Sequence, residues 1–292
     1  SIKIGGNGNI EVKIGTQSNG QGHATAYAQI VSEVLQININ EINLIQGNSL
    51  EIKKGSGTGG SRSMPVGGNA LYLASKKLLN NSKQSLAEHF KINTDEILYK
   101  EGFFKFQNKH LSFSDLSKLI DADKFLNVNA DWTPDVGTFT FPNGTHVCEL
   151  EIDKYTGKID ILNYTVVDDF GKVINPLLLE GQVHGGIAQG IGQALFEETV
   201  YDSETGQLLN GSFMDYAIPR ASDMPFIKFA YNEILCTTNP LGIKGAGEAG
   251  AIGAPPAVIN AVCNALDINH IDMPAKPQKI WKVLYSKKVK KK

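Results

Sequence analysis

Glycine clusters punctuate the sequence at residues 20–22, 55–60, 185–192 and 245–253, each opening a predicted helix. Glycine lets backbone N–H groups approach a ligand closely, and a helix N-terminus favours anions. Several such ends brought together would cradle a large, polar, phosphate-bearing ligand. The second cluster is the clearest anion candidate. Gly59, Gly60 and Ser61 offer backbone donors, Ser61 and Ser63 offer hydroxyls, and Arg62 offers a guanidinium fork. The plainer alternative is a tight turn with Arg62 in a surface ion pair. Gly55 and Gly60 have the spacing of a Walker loop, but Ser61-Arg62 stands where Lys-Ser/Thr belongs. Without the lysine that reaches terminal phosphates, nucleotide hydrolysis is not expected.

Gly245-Ala246-Gly247-Glu248-Ala249-Gly250 matches G-x-G-x-x-G letter for letter. Its surroundings argue against a dinucleotide site: Asn239-Pro240-Leu241-Gly242 separates it from the preceding predicted strand, and Pro255-Pro256 interrupts the helix that should follow. A nicotinamide-dependent enzyme is therefore a distant alternative. Glu248 has only small neighbours, so it is either exposed on a loop or aimed into a cavity. In a cavity, desolvation would raise its pKa and suit it to act as a general base. The histidines lack the spacing of metal ligands, and no protein metal site is expected. His23 and His184 adjoin glycine clusters and are candidate ligand contacts. Gln21, Gln182, Gln189 and Gln193 lie in or beside these clusters, and primary amides suit the donor–acceptor edges of pterin-like rings. Gln189 and Gln193, four apart, read equally well as a polar helix face.

The elements that must position these residues follow from periodicity. Residues 10–14, Ile-Glu-Val-Lys-Ile, alternate as a half-buried strand. A helix follows the first cluster, with Tyr27, Ile30, Val31, Val34 and Leu35 at helical spacing. Residues 41–45 read as a strand, and Pro65 begins a second helix with Leu71, Ala74 and Leu78 inward. Signals weaken over 81–126, which reads as a short helix near 85–90, a hairpin near 97–106 and a helix opened by Ser112 or Ser114. Residues 132–144 read as an ordered loop. The first pattern then returns, with strands at 147–152 and 158–167, a glycine-rich helix over 181–196, a strand at 227–236 and a helix at 257–266. The predicted fold is α+β, with two similar strand-helix-strand-helix lobes. They cover residues 1–130 and 131–285, with a disordered lysine tail at 286–292.

Composition narrows the class. The chain has 292 residues, 41% of them hydrophobic and 20% charged, which is ordinary globular composition. Leaving out the five lysines of residues 286–292, 23 basic residues face 30 acidic ones. A body of that sign is not built to neutralise nucleic acid phosphates. Cys148, Cys236 and Cys263 form no disulfide framework and read as small buried hydrophobes, as in a reducing compartment. No basic-then-apolar signal opens the chain, and the prolines at 255 and 256 break its longest apolar run. The expected location is the cytoplasm, with no membrane or nucleic-acid partner.

Five motifs, in order, carry a family resemblance. Gln21-Gly22-His23 with Ala28-Gln29-Ile30 resembles the G-Q-G-H-E-T segment of molybdenum hydroxylase large subunits, the carbon monoxide dehydrogenase, aldehyde oxidase and xanthine dehydrogenase family. Gly60-Ser61-Arg62-Ser63 with Pro65 resembles the next loop of that family. Val167-Asp168-Asp169 to Asn175-Pro176, continuing through Gly181-Gln182-Val183-His184-Gly185-Gly186 to Gln189-Gly190, resembles its V-D-D…N-P…G-Q-V-x-G-G stretch. Asp215-Tyr216 to Pro219-Arg220, then Lys244-Gly245-Ala246-Gly247-Glu248, complete the set, and the carbon monoxide dehydrogenase branch looks closest.

The resemblance implies a fold of the molybdenum-cofactor-binding domain type. It implies a molybdopterin, or molybdopterin cytosine dinucleotide, with molybdenum. Gln21, Gly22 and His23 would lie toward the metal and pterin, Gly60, Ser61, Arg62 and Ser63 toward phosphate and pterin, and Gln182, Gln189, Gly245 and Gly247 would complete the cofactor contacts. Glu248 would be the catalytic general base of hydroxylation at carbon by a molybdenum-bound hydroxide on a small-molecule substrate. The chain resembles only the C-terminal part of such subunits. Expected partners are the N-terminal half of the large subunit and separate iron–sulfur and flavin subunits. Ala24 departs from the family glutamate, and the cysteine loop of carbon monoxide dehydrogenases has no counterpart here, so carbon monoxide is not the expected substrate. The competing expectation is an isolated or degenerate fragment that folds and binds a ligand or partner without catalysis. A chain alone would expose apolar surface and self-associate.

Overall fold

The computed structural model describes residues 1–5, 8–120, 126–130 and 139–290, without the side chains of 287–290. It is an α+β protein of two compact units. Unit 1 comprises Ser1–Phe141, Lys172–Pro176 and Leu235–Gly245; unit 2 comprises Pro142–Gly171, Leu177–Ile234 and Ala246–Lys292.

In unit 1, strands β1 (Ile2–Ile4), β2 (Ile10–Lys13), β3 (Ile42–Ile45) and β7 (Asn127–Val128) form one sheet in the order β3-β2-β1-β7. Ile10 and Val12 of β2 are fully buried and alternate with Glu11 and Lys13, because side chains on a strand alternate faces. β1 and β2 are antiparallel, whereas β2 and β3 are parallel, so the chain must cross over between the latter two. Helix α1 (His23–Leu35) makes that crossing and buries Tyr27, Ile30, Val31 and Leu35. A second sheet, β4 (Leu98–Lys100), β5 (Phe103–Phe106) and β6 (Lys109–Leu111), is an antiparallel meander. Ser112 caps α3 (Phe113–Leu119) in a capping box with Asp115, as the sequence suggests.

Helix α2 (Asn69–Phe90) is longer than predicted and absorbs the expected short helix near 85–90. Leu71, Ala74 and Leu78 are buried as expected. Asn80, Asn81 and Ser82 look like a break, but the buried Ser82 hydroxyl donates to the Leu78 carbonyl at 2.8 Å and Ser75 does the same to Leu71 at 2.8 Å. Such bonds satisfy a buried hydroxyl without leaving the helix.

In unit 2, β8 (Asn143–Ile152) and β9 (Ile159–Asp169) are antiparallel, and β10 (Ile227–Tyr231) lies parallel to β9. Helix α4 (Pro176–Ile191) lies between β9 and β10 in sequence. The order of unit 1 therefore recurs: antiparallel pair, helix, parallel third strand, then a further helix. Here that helix is α5 (Ala249–Leu266), followed by α6 (Pro277–Lys290).

Several expectations are corrected. The division is not a single cut after residue 130, because two later segments belong to unit 1. The predicted strand over 227–236 ends at Tyr231, so Cys236 lies outside it in a segment of unit 1. The expected tail from residue 286 is helical through Lys290, and residues 291–292 lie outside the described set, as does most of the loop expected at 132–144. All three cysteines are free but only partly buried, and burial pushes the Cys148 thiol up to about 11. Helix α5 runs through Pro255 and Pro256, giving up two rungs of its ladder. It thereby gains the length and apolar composition of a membrane span, but Ala254, Val258 and Val262 are buried in unit 2.

Glycines 186, 190 and 250 serve helix packing. A Cβ on Gly250 would lie 2.6 Å from the Ile187 nitrogen and the Val183 oxygen. Only glycine lets α4 and α5 touch along their backbones. Gly250→Ala is expected to cost about 1–3 kcal/mol through overpacking, read as a lower urea midpoint with an unchanged slope. An unchanged midpoint would mean that this contact does not form.

Candidate functional site

Unit 1 brings the first two glycine clusters together. Gly22, in the left-handed conformation at φ 79°, starts α1, and His23 follows as its first residue. His23 is buried, packs on the Tyr27 ring at 4.9 Å, and has its Nδ1 3.3 Å from Gln46 Nε2. An amide nitrogen can only donate, so Nδ1 accepts. Burial holds the His23 pKa below its ordinary value.

Tyr27, one turn on, donates its hydroxyl to the Ser63 carbonyl at 2.9 Å and lies 3.2 Å from Thr16 Oγ1. Burial pushes its pKa up to about 12. The start of α1 is thus tied to residue 63 of the second glycine loop. The other tie is Thr58: its hydroxyl donates to the Gln17 carbonyl at 2.5 Å and accepts from the Gln17 N–H at 3.3 Å. Gln21 Nε2 donates to the same Gln17 carbonyl at 3.1 Å, and Gln21 Oε1 accepts from the Asn19 N–H at 2.5 Å.

Above this scaffold the second loop is open. Nothing lies within 4 Å of where a Cβ would stand on Gly59 or Gly60. Ser61 has a left-handed φ of 53°, and Arg62 is exposed, donating to Ser56 Oγ at 3.1 Å. Gly245 closes the other side of the loop: a Cβ there would sit 2.0 Å from the Ser61 carbonyl oxygen. Its N–H points to Thr140 Oγ1 at 3.3 Å. Gln21, Gly22, His23, Gly60, Ser61, Arg62, Ser63 and Gly245 are therefore one neighbourhood in unit 1.

The chain is similar in sequence and fold to known proteins. The family model described as "Molybdopterin cofactor-binding domain" matches residues 1–225. The chain belongs to that family. It is 31% identical over 293 residues to the carbon monoxide dehydrogenase large chain of Hydrogenophaga pseudoflava, covering 97% of this chain and 36% of that protein. It is 32% identical over 295 residues to the nicotine 6-hydroxylase large subunit of Paenarthrobacter nicotinovorans, covering 96% and 36%. Among solved structures, reconstituted carbon monoxide dehydrogenase from Oligotropha carboxidovorans superposes with a TM-score of 0.88 at 31% identity, covering 99% of this chain and 37% of that one. The chain thus spans little more than a third of the length of these relatives.

The residues of this molybdopterin cofactor-binding domain fit the group it is named for. An open glycine ridge with hydroxyl, amide and guanidinium donors beside it suits a polar, anionic organic cofactor. Among the described residues, no three His, Cys, Asp or Glu side chains gather as a metal site.

The remaining sequence candidates lie in unit 2. Gln182 is half-buried and Gln189 exposed, both on α4; His184, on the same helix, lies 3.8 Å from Glu180 and edge-on to Phe229. The cluster at 185–192 does not open a helix, since α4 begins at Pro176. Gly247 is exposed, and Glu248 caps α5, its carbonyl accepting from the Ile252 N–H at 3.0 Å. Of the two alternatives for Glu248, the chain shows the exposed one. The G-x-G-x-x-G match is not a strand-turn-helix: β10 ends at Tyr231 and α5 starts at Ala249.

Sequence reading missed Thr58, Gln17 and Asn69. Asn69 is fully buried; its Nδ2 donates to the Pro65 carbonyl at 2.6 Å and to Asn239 Oδ1 at 3.2 Å, and its Oδ1 accepts from the Leu241 N–H at 3.0 Å. Its signal was a polar residue on an apolar helix stretch, but the partner lies 170 residues away.

His23 gives a pH prediction. Its folded pKa lies below its ordinary 6.5, so the unfolded chain takes up the proton first as pH falls. Its contribution to stability is complete above 6.5 and declines as pH drops below that value through the folded pKa. His23→Gln should flatten this part of the urea-midpoint profile. Identical profiles for the two proteins would contradict a buried neutral His23.

Proposed function

We propose that this chain is the cofactor-holding part of a molybdenum hydroxylase, an oxidoreductase component acting at a carbon of a small molecule. The observation that carries the reading is the open loop at Gly59 and Gly60, hydrogen-bonded through Thr58 to the residues that set Gln21. Gln21, Gly22 and His23 would face the metal end of the cofactor. Gly60, Ser61, Arg62 and Ser63 would hold phosphate and pterin oxygens, with Gly245 beside them; Gly247, Gln182 and Gln189 are the candidate cofactor contacts of unit 2. The cytosine dinucleotide form suits the extent of this donor set. When bound, the molybdenum cofactor supplies the two-electron redox chemistry of hydroxylation. The chain's own contribution to chemistry is Glu248, whose carboxylate takes up the proton released as oxygen is transferred.

A whole enzyme needs more than this chain, since the relatives are nearly three times as long. The rest of the large subunit, together with iron–sulfur and flavin subunits, would complete the substrate pocket and carry electrons away. Phe213, Met214 and Phe226 of unit 2 are 84%, 92% and 82% exposed, surface that partners of this kind would cover. Free cysteines fit assembly in the cytoplasm. The two relatives are named for carbon monoxide and nicotine, small molecules of widely different chemistry.

Glu248→Gln in the complete complex should keep its molybdenum and pterin while turnover of its small-molecule substrate falls about 10²–10⁴-fold. Undiminished turnover would remove Glu248 from the chemistry. Loss of the cofactor as well would make it a structural residue instead.

A further inference from the structure

Gln21 carries most of its identity as a cofactor contact in the orientation of its amide. Oxygen and nitrogen of a glutamine look alike, and their assignment follows from their partners. Here the partners are backbone groups whose roles cannot be exchanged. The Gln17 carbonyl can only accept, so it faces Nε2 at 3.1 Å; the Asn19 N–H can only donate, so it faces Oε1 at 2.5 Å. The amide is fixed as long as the Gln17 and Asn19 backbone stays in place. One amide hydrogen is spent on Gln17, and the second has only a long contact, 3.5 Å to Thr58 Oγ1. A ligand oxygen would readily displace it.

What holds the Gln17 backbone is Thr58. Its single hydroxyl both donates to the Gln17 carbonyl at 2.5 Å and accepts from the Gln17 N–H at 3.3 Å, across 41 residues of sequence. The Ser63 hydroxyl also reaches it at 3.4 Å. Thr58, within the anion loop, therefore reaches across to the Gln21 loop, while Gly57 and Gly59 beside it have no side chains that could do so. We infer that Thr58 is a positioning residue: it fixes which face of the Gln21 amide is offered to the cofactor and locks the two cofactor loops into one register. The inference rests on the proposed cofactor site. It predicts that filling of the anion loop and order of the Gln17–Gln21 segment are coupled through one hydroxyl.

The test compares Thr58→Val, which keeps the shape and loses the hydroxyl, with Thr58→Ser, which keeps the hydroxyl. Molybdenum and pterin per chain are measured in the complete complex, together with Tm. Amide hydrogen exchange across residues 17–23 is measured in the cofactor-free chain. Thr58→Val should lose at least tenfold in cofactor content with little change in Tm, and exchange over residues 17–23 should speed up at least tenfold. Thr58→Ser should restore both. Unchanged exchange in Thr58→Val overturns the inference, as does equal loss in Thr58→Ser. If the parent protein holds no cofactor at all, the proposed function fails, and the exchange comparison still decides whether Thr58 orders the Gln21 loop.

Discussion

The buried Asn69 amide, at the start of α2, joins parts of unit 1 that are far apart in sequence. It binds the Pro65 carbonyl on one side and Leu241 and Asn239 on the other. Asn239 in turn closes on Ile243 through both ends of its amide, at 2.9 and 3.1 Å. A buried amide left unpaired is costly, so this arrangement is satisfied as a whole or not at all. Its consequence is that Leu235–Gly245 belongs to unit 1, which brings Gly245 against the Ser61 carbonyl.

From that anchor the cradle follows. The second glycine loop is held by Tyr27 at Ser63, by Thr58 at Gln17, and by the close approach of Gly245 to Ser61. These supports leave the ridge at Gly59 and Gly60 open. Rigid support beneath an open, donor-rich ridge is the preorganisation that a polar cofactor needs, since little is then lost on ordering the loop.

Much of this was legible in sequence because it is local. The period of Tyr27, Ile30, Val31 and Leu35 announces α1, the alternation of residues 10–14 announces β2, and a serine at 112 or 114 announces a helix start that the structure places at Ser112. The two loops proposed to hold the cofactor were legible as glycine clusters with polar neighbours. What escaped is non-local or runs against local preference. Ser82 and the Pro255-Pro256 pair look like helix breakers, yet both lie inside helices because tertiary packing outweighs propensity there. The glycines of α4 looked like ligand contacts but let two helices touch. Thr58 and Asn69 carry no period or motif of their own, and their partners lie 41 and 170 residues away.

The account stands on the claim that unit 1 holds a molybdenum cofactor in this cradle. The most direct measurement is molybdenum and pterin content, by elemental analysis and by fluorescence after oxidation, of the protein isolated from its natural source with its partner chains retained. The account predicts about one molybdenum and one pterin per chain. Protein that retains its partners yet carries neither would contradict it, leaving a domain that keeps the architecture of its family without the cofactor.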